Sequence, residues 1–240
     1  MKCTLALVSL MSASVLVAHP RTAGSPLDFA RGVPVDRWAA AVGGRDRLAS
    51  VTALYREATI EIAGFDGTLK AWHTAEGKYR KEERVATYSS IETFDGTTAA
   101  VQQGDAPPQI MTGADLERAR SSAFANSNAI FFVFFPDRRR GTLAIEGDDT
   151  VVLKPEGGID WRVTLDPRTS LPATMVHKEH DRTVTVEFAG YETVDGITFE
   201  KEIHRSNGNP RFDAVIRFTK TEINPPIDPS LFSIARPSQP

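Results

Sequence analysis

The sequence predicts a mainly β protein with a helical lid, an α+β chain built as a curled antiparallel half-barrel. Three observations predict it. From Leu54 onward, apolar and polar residues alternate with a period of two in one segment after another, as in strands with one dry face and one wet face. The connections between these segments are short and rich in Asp, Gly, Asn and Pro, so consecutive strands run antiparallel, up and down. One internal stretch, residues 112–135, breaks the alternation with helix formers and ends in four phenylalanines within five positions. About eleven strands carrying one apolar face curl by their own twist, and that face needs a cover.

The N-terminus reads as a targeting segment, residues 1–24. Lys2 is the basic start, Leu5 to Ala18 is apolar and of signal-peptide length, and small residues at Ala18, Ala23 and Gly24 offer a cleavage site. The apolar run ends at His19-Pro20, short of the ~20 residues a spanning helix needs. The expected product is an exported, periplasmic chain with no lipid-attachment cysteine, since Cys3 lies before the apolar run rather than after it. Residues 25–240 then form a single half-barrel domain.

Val35 to Val51 reads as helical, with Asp36 as a candidate cap and Trp38, Val42 and Leu48 on one side. Gly43-Gly44 predicts a break into two short helices. In the first strand Leu54, Ala58, Ile60 and Ile62 share the dry face, and Tyr55, Glu57, Thr59 and Glu61 share the other. Arg56 falls on the dry side, where a guanidinium must find partners or escape. Either the strand twists and Arg56 reaches solvent, or Arg56 ties the lid helix to the sheet. Leu69, Ala71 and His73 continue the pattern. "KYRKEER", residues 78–84, is charged on both faces and reads as an edge strand. Asp95-Gly96 between two alternating runs is a hairpin signal, because glycine accepts the positive φ of a tight turn.

A helix is expected from about Ala114, continuing or restarting through Phe131, Phe132, Phe134 and Phe135 and ended by Pro136. Arg138, Arg139 and Arg140 then read as a solvated turn. The Phe run is apolar around its whole circumference, as in a segment wrapped by other groups. At ~150–250 Å² each, its rings plug the mouth of the curled sheet. Strands resume after it. Ile159, Trp161, Val163 and Leu165 share a face, as do Val184, Val186 and Phe188, then Ile197, Phe199 and Ile203, then Phe212, Ala214, Ile216 and Phe218.

Composition excludes several functions. The formal charge is -3, and removing Lys2 and Arg21 with the leader takes the 28 basic residues to 26 against 31 acids, about -5. That leaves no basic field for nucleic acid. With Cys3 in the leader there is no thiol chemistry. No G-x-S-x-G, phosphate-binding glycine loop or H-E-x-x-H is present. His177 and His180, with Asp181 and His204 nearby, could suggest a metal, but strand residues three apart point to opposite faces. Surface histidines at a hairpin tip are the expectation, with no metal and no cofactor.

The order of several segments carries a resemblance. "AVGGRDRLASV" entering a first strand, "FDGTTAAV", a helical insertion ending in "FFP", and then "WRVTLDPRTSLPATM", "YETVDGITFEKEI" and "INPPIDPSLFSIARP" resemble the LolA/LolB-like periplasmic lipoprotein carriers over about residues 38–237. The resemblance implies a half-open barrel with a helical lid and an apolar interior; the carriers proper bind lipoprotein acyl chains. Asp95-Gly96 leads here only to Ala99, Ala100 and Val101, where the carriers often have a large aromatic, and the extended Asp-Pro and Asp-Gly hairpin pattern resembles secreted relatives of the carriers more closely. The reading is an exported, non-enzymatic protein that binds a hydrophobic small molecule, a lipid or an acylated protein. Leu54, Arg56, Ile60, Ile62, Phe131, Phe132, Phe134, Phe135, Trp161, Val163 and Phe199 would line its cavity. The alternative is an envelope sensor or scaffold module whose interior is filled and closed and whose outer face binds a protein partner.

Overall fold

The computed structural model describes residues 32–125 and 129–233, so the leader expected at residues 1–24 lies outside the described residues. Two short helices come first, α1 (Pro34–Ala41) and α2 (Arg45–Ala49). They are separated by Gly43 and Gly44, both at positive φ. Only glycine fits at 43, because a Cβ there would lie 2.7 Å from the Gly196 carbonyl oxygen. Asp36 is not the cap. The helix starts on Pro34, whose missing N–H costs nothing at that position, and Asp36 instead accepts from Arg45 at 2.6 Å.

Six strands follow: β1 (Ala53–Ile62), β2 (Phe65–Thr74), β3 (Tyr79–Val85), β4 (Tyr88–Phe94), β5 (Ala99–Gln103) and β6 (Gln109–Ile110). Helices α3 (Gly113–Ala125) and α4 (Ala129–Phe132) interrupt them. The remaining strands are β7 (Gly141–Glu146), β8 (Thr150–Pro155), β9 (Trp161–Leu165), β10 (Pro172–Glu179), β11 (Arg182–Val194), β12 (Ile197–Ser206) and β13 (Ala214–Ile223). All thirteen form one antiparallel sheet in the order β6-β5-β4-β3-β2-β1-β13-β12-β11-β10-β9-β8-β7. The count exceeds the expected eleven partly because β6, at two residues, is too short to show an alternation.

The topology explains the lid. Each half is an up-and-down meander, but the first and last strands pair with each other, Leu54 opposite Ile223 and Ile62 opposite Ala214. This leaves β6 and β7 as the two free edges. The segment joining those edges is the helical insertion, so it must cross the mouth of the curled sheet. The result is a half-barrel, mainly β and not closed, with helices over its concave side. Among the described residues no helix is long and apolar enough to cross a membrane.

The Phe segment is buried as the pattern implies. Phe131 and Phe134 are fully buried and Phe132 nearly so, in one core with Trp38, Leu48, Leu54, Leu153 and Trp161. The Phe134 ring meets Trp38 edge-on at 5.1 Å, and its carbonyl accepts from Arg45 Nε at 3.0 Å. Phe135 is only partly buried, with the Arg138 guanidinium 4.6 Å above its ring. The arginine run is thus more than a solvated turn, because Arg139 Nη2 also donates to the Val133 carbonyl at 2.6 Å.

Three further expectations are corrected. β3 is not an edge; it lies between β2 and β4. Its outward Arg80 and Glu82 pair at 2.7 Å, and its inward Lys81 and Glu83 face the interior described below. Phe212 does not join Ala214 and Phe218, because Asn209-Pro210 starts a 3-10 turn before the strand and leaves Phe212 exposed. Arg56 neither reaches solvent nor ties the lid to the sheet. It is fully buried and bonded to other strands: Nη1 to the Glu200 carboxylate, Nη2 to the Glu200 carbonyl at 2.6 Å and Nε to Thr221 Oγ1 at 3.2 Å.

Candidate ligand cavity

Beneath the lid the concave face lines a partly open cavity of about 680 Å³. Its floor is apolar and comes from the middle strands: Ile60 and Ile62 of β1, Leu69 and Ala71 of β2, Phe199 and Ile203 of β12, and Ala214, Ile216 and Phe218 of β13. Much of this floor is a separate core cluster that packs on itself rather than on the helices. The lid contributes Ser122 and Ala125 of α3, Ile130 of α4, and Phe134. Of the residues expected to line a cavity, Ile60, Ile62, Phe134, Trp161, Val163 and Phe199 do line this one. Leu54, Phe131 and Phe135 pack in the surrounding core, Phe132 faces a second pocket, and Arg56 is buried against the floor with its guanidinium 3.5 Å from the Phe218 ring centre.

The walls carry charge that the alternation did not reveal. On one side Glu92 of β4 accepts from the Tyr79 hydroxyl and from both terminal nitrogens of Arg118 on α3, at 3.2 and 3.1 Å. Burial opposes the Glu92 charge, but Lys81 and Arg118 overcome it and hold the carboxyl below the ordinary range. Burial, with the Glu92 charge and hydrogen bond, pushes the Tyr79 phenol well up. This network fastens the lid to the sheet, since α3 supplies the cation and β3 and β4 the rest. A signal for it existed in "KYRKEER": a strand charged on both faces fits a wet interior as well as an edge.

On the other side His177 stacks flat on Trp161, ring centres 4.0 Å apart, with Nε2 3.1 Å from Glu179. Arg205 donates to the other Glu179 oxygen at 2.8 Å. His177 is thus buried in the interior, not at a hairpin tip. His204 lies apart from it, partnered with Glu202, and His180 takes the positive-φ position of the turn. Among the described residues no three metal-ligating side chains converge.

Burial opposes the Glu179 charge as well, yet the His177 hydrogen bond and the Arg205 charge lower its pKa from 4.5 to about 2. A depressed carboxylate contributes stability above its unfolded value and loses it as pH falls through the folded value. Wild type should therefore be more stable than Glu179→Gln at pH 6, and that advantage should shrink between about pH 4.5 and pH 2. Urea titrations of both proteins across this range check it; a constant difference would refute the assignment.

The sequence matches no family model and no curated protein. Solved structures do match. A LolA superfamily protein from Nitrosomonas europaea aligns with a TM-score of 0.53 at 8% identity, over 83% of this chain and 96% of that one. The chain has a LolA-like fold. A DUF1329 family protein from Desulfovibrio piger aligns at 0.51 and 14% identity, over 84% and 98% of the two chains. A putative outer membrane lipoprotein-sorting protein domain from Vibrio parahaemolyticus aligns at 0.47 and 11%, over 82% and 97%. The LolA-like half-barrel here has the lid and the concave floor that the sequence resemblance implied; at these identities the likeness concerns the fold.

Proposed function

We propose that this chain is an exported, non-enzymatic binding protein that holds the apolar chain of a lipid or an acylated protein in the half-barrel. One observation carries the reading: the apolar floor of β1, β2 and β13 borders a space of about 680 Å³ and belongs to a core cluster that contains no residue of the lid. That volume falls within the roughly 300–1,000 Å³ of small-molecule sites. Apolar surface facing such a space gains on the order of 25 cal/mol per Å² when a ligand covers it. The charged walls would then hold a polar head at the rim while the floor takes the tail. The open interior argues against a sheet packed shut over a filled core, and the LolA-like fold agrees with a carried acyl chain.

Ile216 of β13 is only partly buried and lines the cavity, so a larger side chain has room to grow into it. Wild type incubated with lipid extract should retain an amphiphile detectable by mass spectrometry and should take up a fluorescent fatty acid. Ile216→Trp should fold and lose at least about tenfold in that uptake, a loss of about 1.4 kcal/mol. Failure of wild type to retain any amphiphile, or equal uptake by the variant, would overturn the reading.

A further inference from the structure

A second pocket, of about 380 Å³, lies on the opposite side of the lid and shares no lining residue with the half-barrel cavity. The division follows helical geometry. Arg118, Ser122 and Ala125 of α3, spaced i, i+4 and i+7, face the large cavity, whereas Arg120, Ala123 and Phe124 face the small one. The Phe segment divides likewise, Phe134 to the large cavity and Phe132 to the small. The small pocket has an aromatic floor, with Phe124 and Phe132 stacked at 6.4 Å and Phe94 beside them.

Two guanidinium groups border this floor, and among the described residues neither has a carboxylate within ion-pair distance. Arg120 Nη1 reaches only the Gly157 carbonyl, at 3.4 Å, and Arg140 Nη1 only the Gly96 carbonyl, at 3.5 Å. Both contacts are at the long limit for a hydrogen bond, so among the described residues most of the ten N–H donors of the two planar groups have no protein acceptor and face solvent. Most other arginines of the described chain hold a carboxylate, as Arg37, Arg45, Arg56, Arg80, Arg118, Arg162, Arg205 and Arg217 do. The rim comes from turns at Gly77, Gly96 and Gly157, all at positive φ, where no side chain stands over the pocket. Glu156, exposed, is the one carboxylate among the lining residues.

We propose that this pocket binds a small amphiphilic anion, a carboxylate or phosphate ester on a short apolar body. The two arginines would take the anion in forked hydrogen bonds and the phenylalanine floor the apolar part. The inference does not depend on the function proposed for the half-barrel.

The test is calorimetry with decanoate and decyl phosphate below their micelle concentrations, with decanol as the neutral control. It is performed on Ile216→Trp as well as wild type, so that uptake into the large cavity is separated from the second site. Expected are binding of both anions in the Ile216→Trp background, little binding of decanol, and weakening by roughly tenfold or more with Arg120→Gln or with Arg140→Gln. Glu156→Gln should strengthen binding. If only vesicles containing phosphatidylglycerol bind, and lose binding with the same arginine changes, the anion is a lipid headgroup; if the soluble anions bind, it is a free amphiphile. Equal affinity for decanol and decanoate, no binding of the soluble anions or of the vesicles, or full binding by the folded Arg120→Gln/Arg140→Gln double variant would overturn the proposal.

Discussion

Phe131→Ala should lower the stability of the protein by about 4 kcal/mol, which for a domain of this size corresponds to a melting temperature lower by about 8–16 °C. Phe131 is fully buried, meets the Phe132 ring at 6.2 Å and belongs to the core that joins the lid, the N-terminal helices and the strands β8 to β12. Truncating it removes a ring from the point where these parts meet. The surrounding residues come from separate elements and cannot all move in to fill the space. Phe135→Ala is the matched control, because that ring is only partly buried and touches Arg138 from the solvent side; it should cost about 1 kcal/mol. Thermal and urea unfolding of both variants decide the matter. Near-equal losses, or a loss below about 1.5 kcal/mol for Phe131→Ala, would mean that the segment is not held in the core.

This contrast shows what a linear pattern can convey. The Phe run is legible because four rings in five positions have no soluble outlet, and its burial follows whatever covers it. The dry face of β1, the hairpin at Asp95-Gly96 and the break at Gly43-Gly44 are legible for a similar reason, since each is decided by residues adjacent in the chain. Asp95 Oδ1, for instance, accepts from the Thr97 and Thr98 amides two and three residues on. The pairing of β1 with β13 is not legible, because nothing local states that the first and last strands meet. The charged walls are hidden for the same reason. Glu92 and Arg118 are 26 positions apart and meet only because the insertion must cross from one free edge to the other. Alternation assigns a residue to a face, but the identity of what stands opposite depends on closure of the whole sheet.

Arg56 concentrates that difference, and its removal should have an effect as large as that of Phe131. By strict alternation Glu200 would point away from Phe199, yet both reach the same guanidinium, the Phe199 ring at 5.4 Å from it. The pairing of β11 with β12 slips around Gly190, so that Gly190 stands opposite Glu202 and Tyr191 opposite Glu200, with Lys201 skipped. Such a bulge re-aims the side chains beyond it and turns Glu200 inward. Arg56→Met keeps much of the volume but leaves the Glu200 carboxylate without its cation, so it should cost about 3–5 kcal/mol. Arg56→Lys should recover little, because one ammonium cannot serve the carboxylate, the Glu200 carbonyl and Thr221 Oγ1 as the planar fork does. Changing Glu200 to Gln alongside Arg56→Met should restore part of the loss by removing the stranded charge, and a double-mutant cycle measures that coupling. Had Arg56 merely reached solvent, Arg56→Met would unfold like wild type and the cycle would show no coupling; that pair of results would remove the buried arginine from the account of how β1 is joined to β12 and β13.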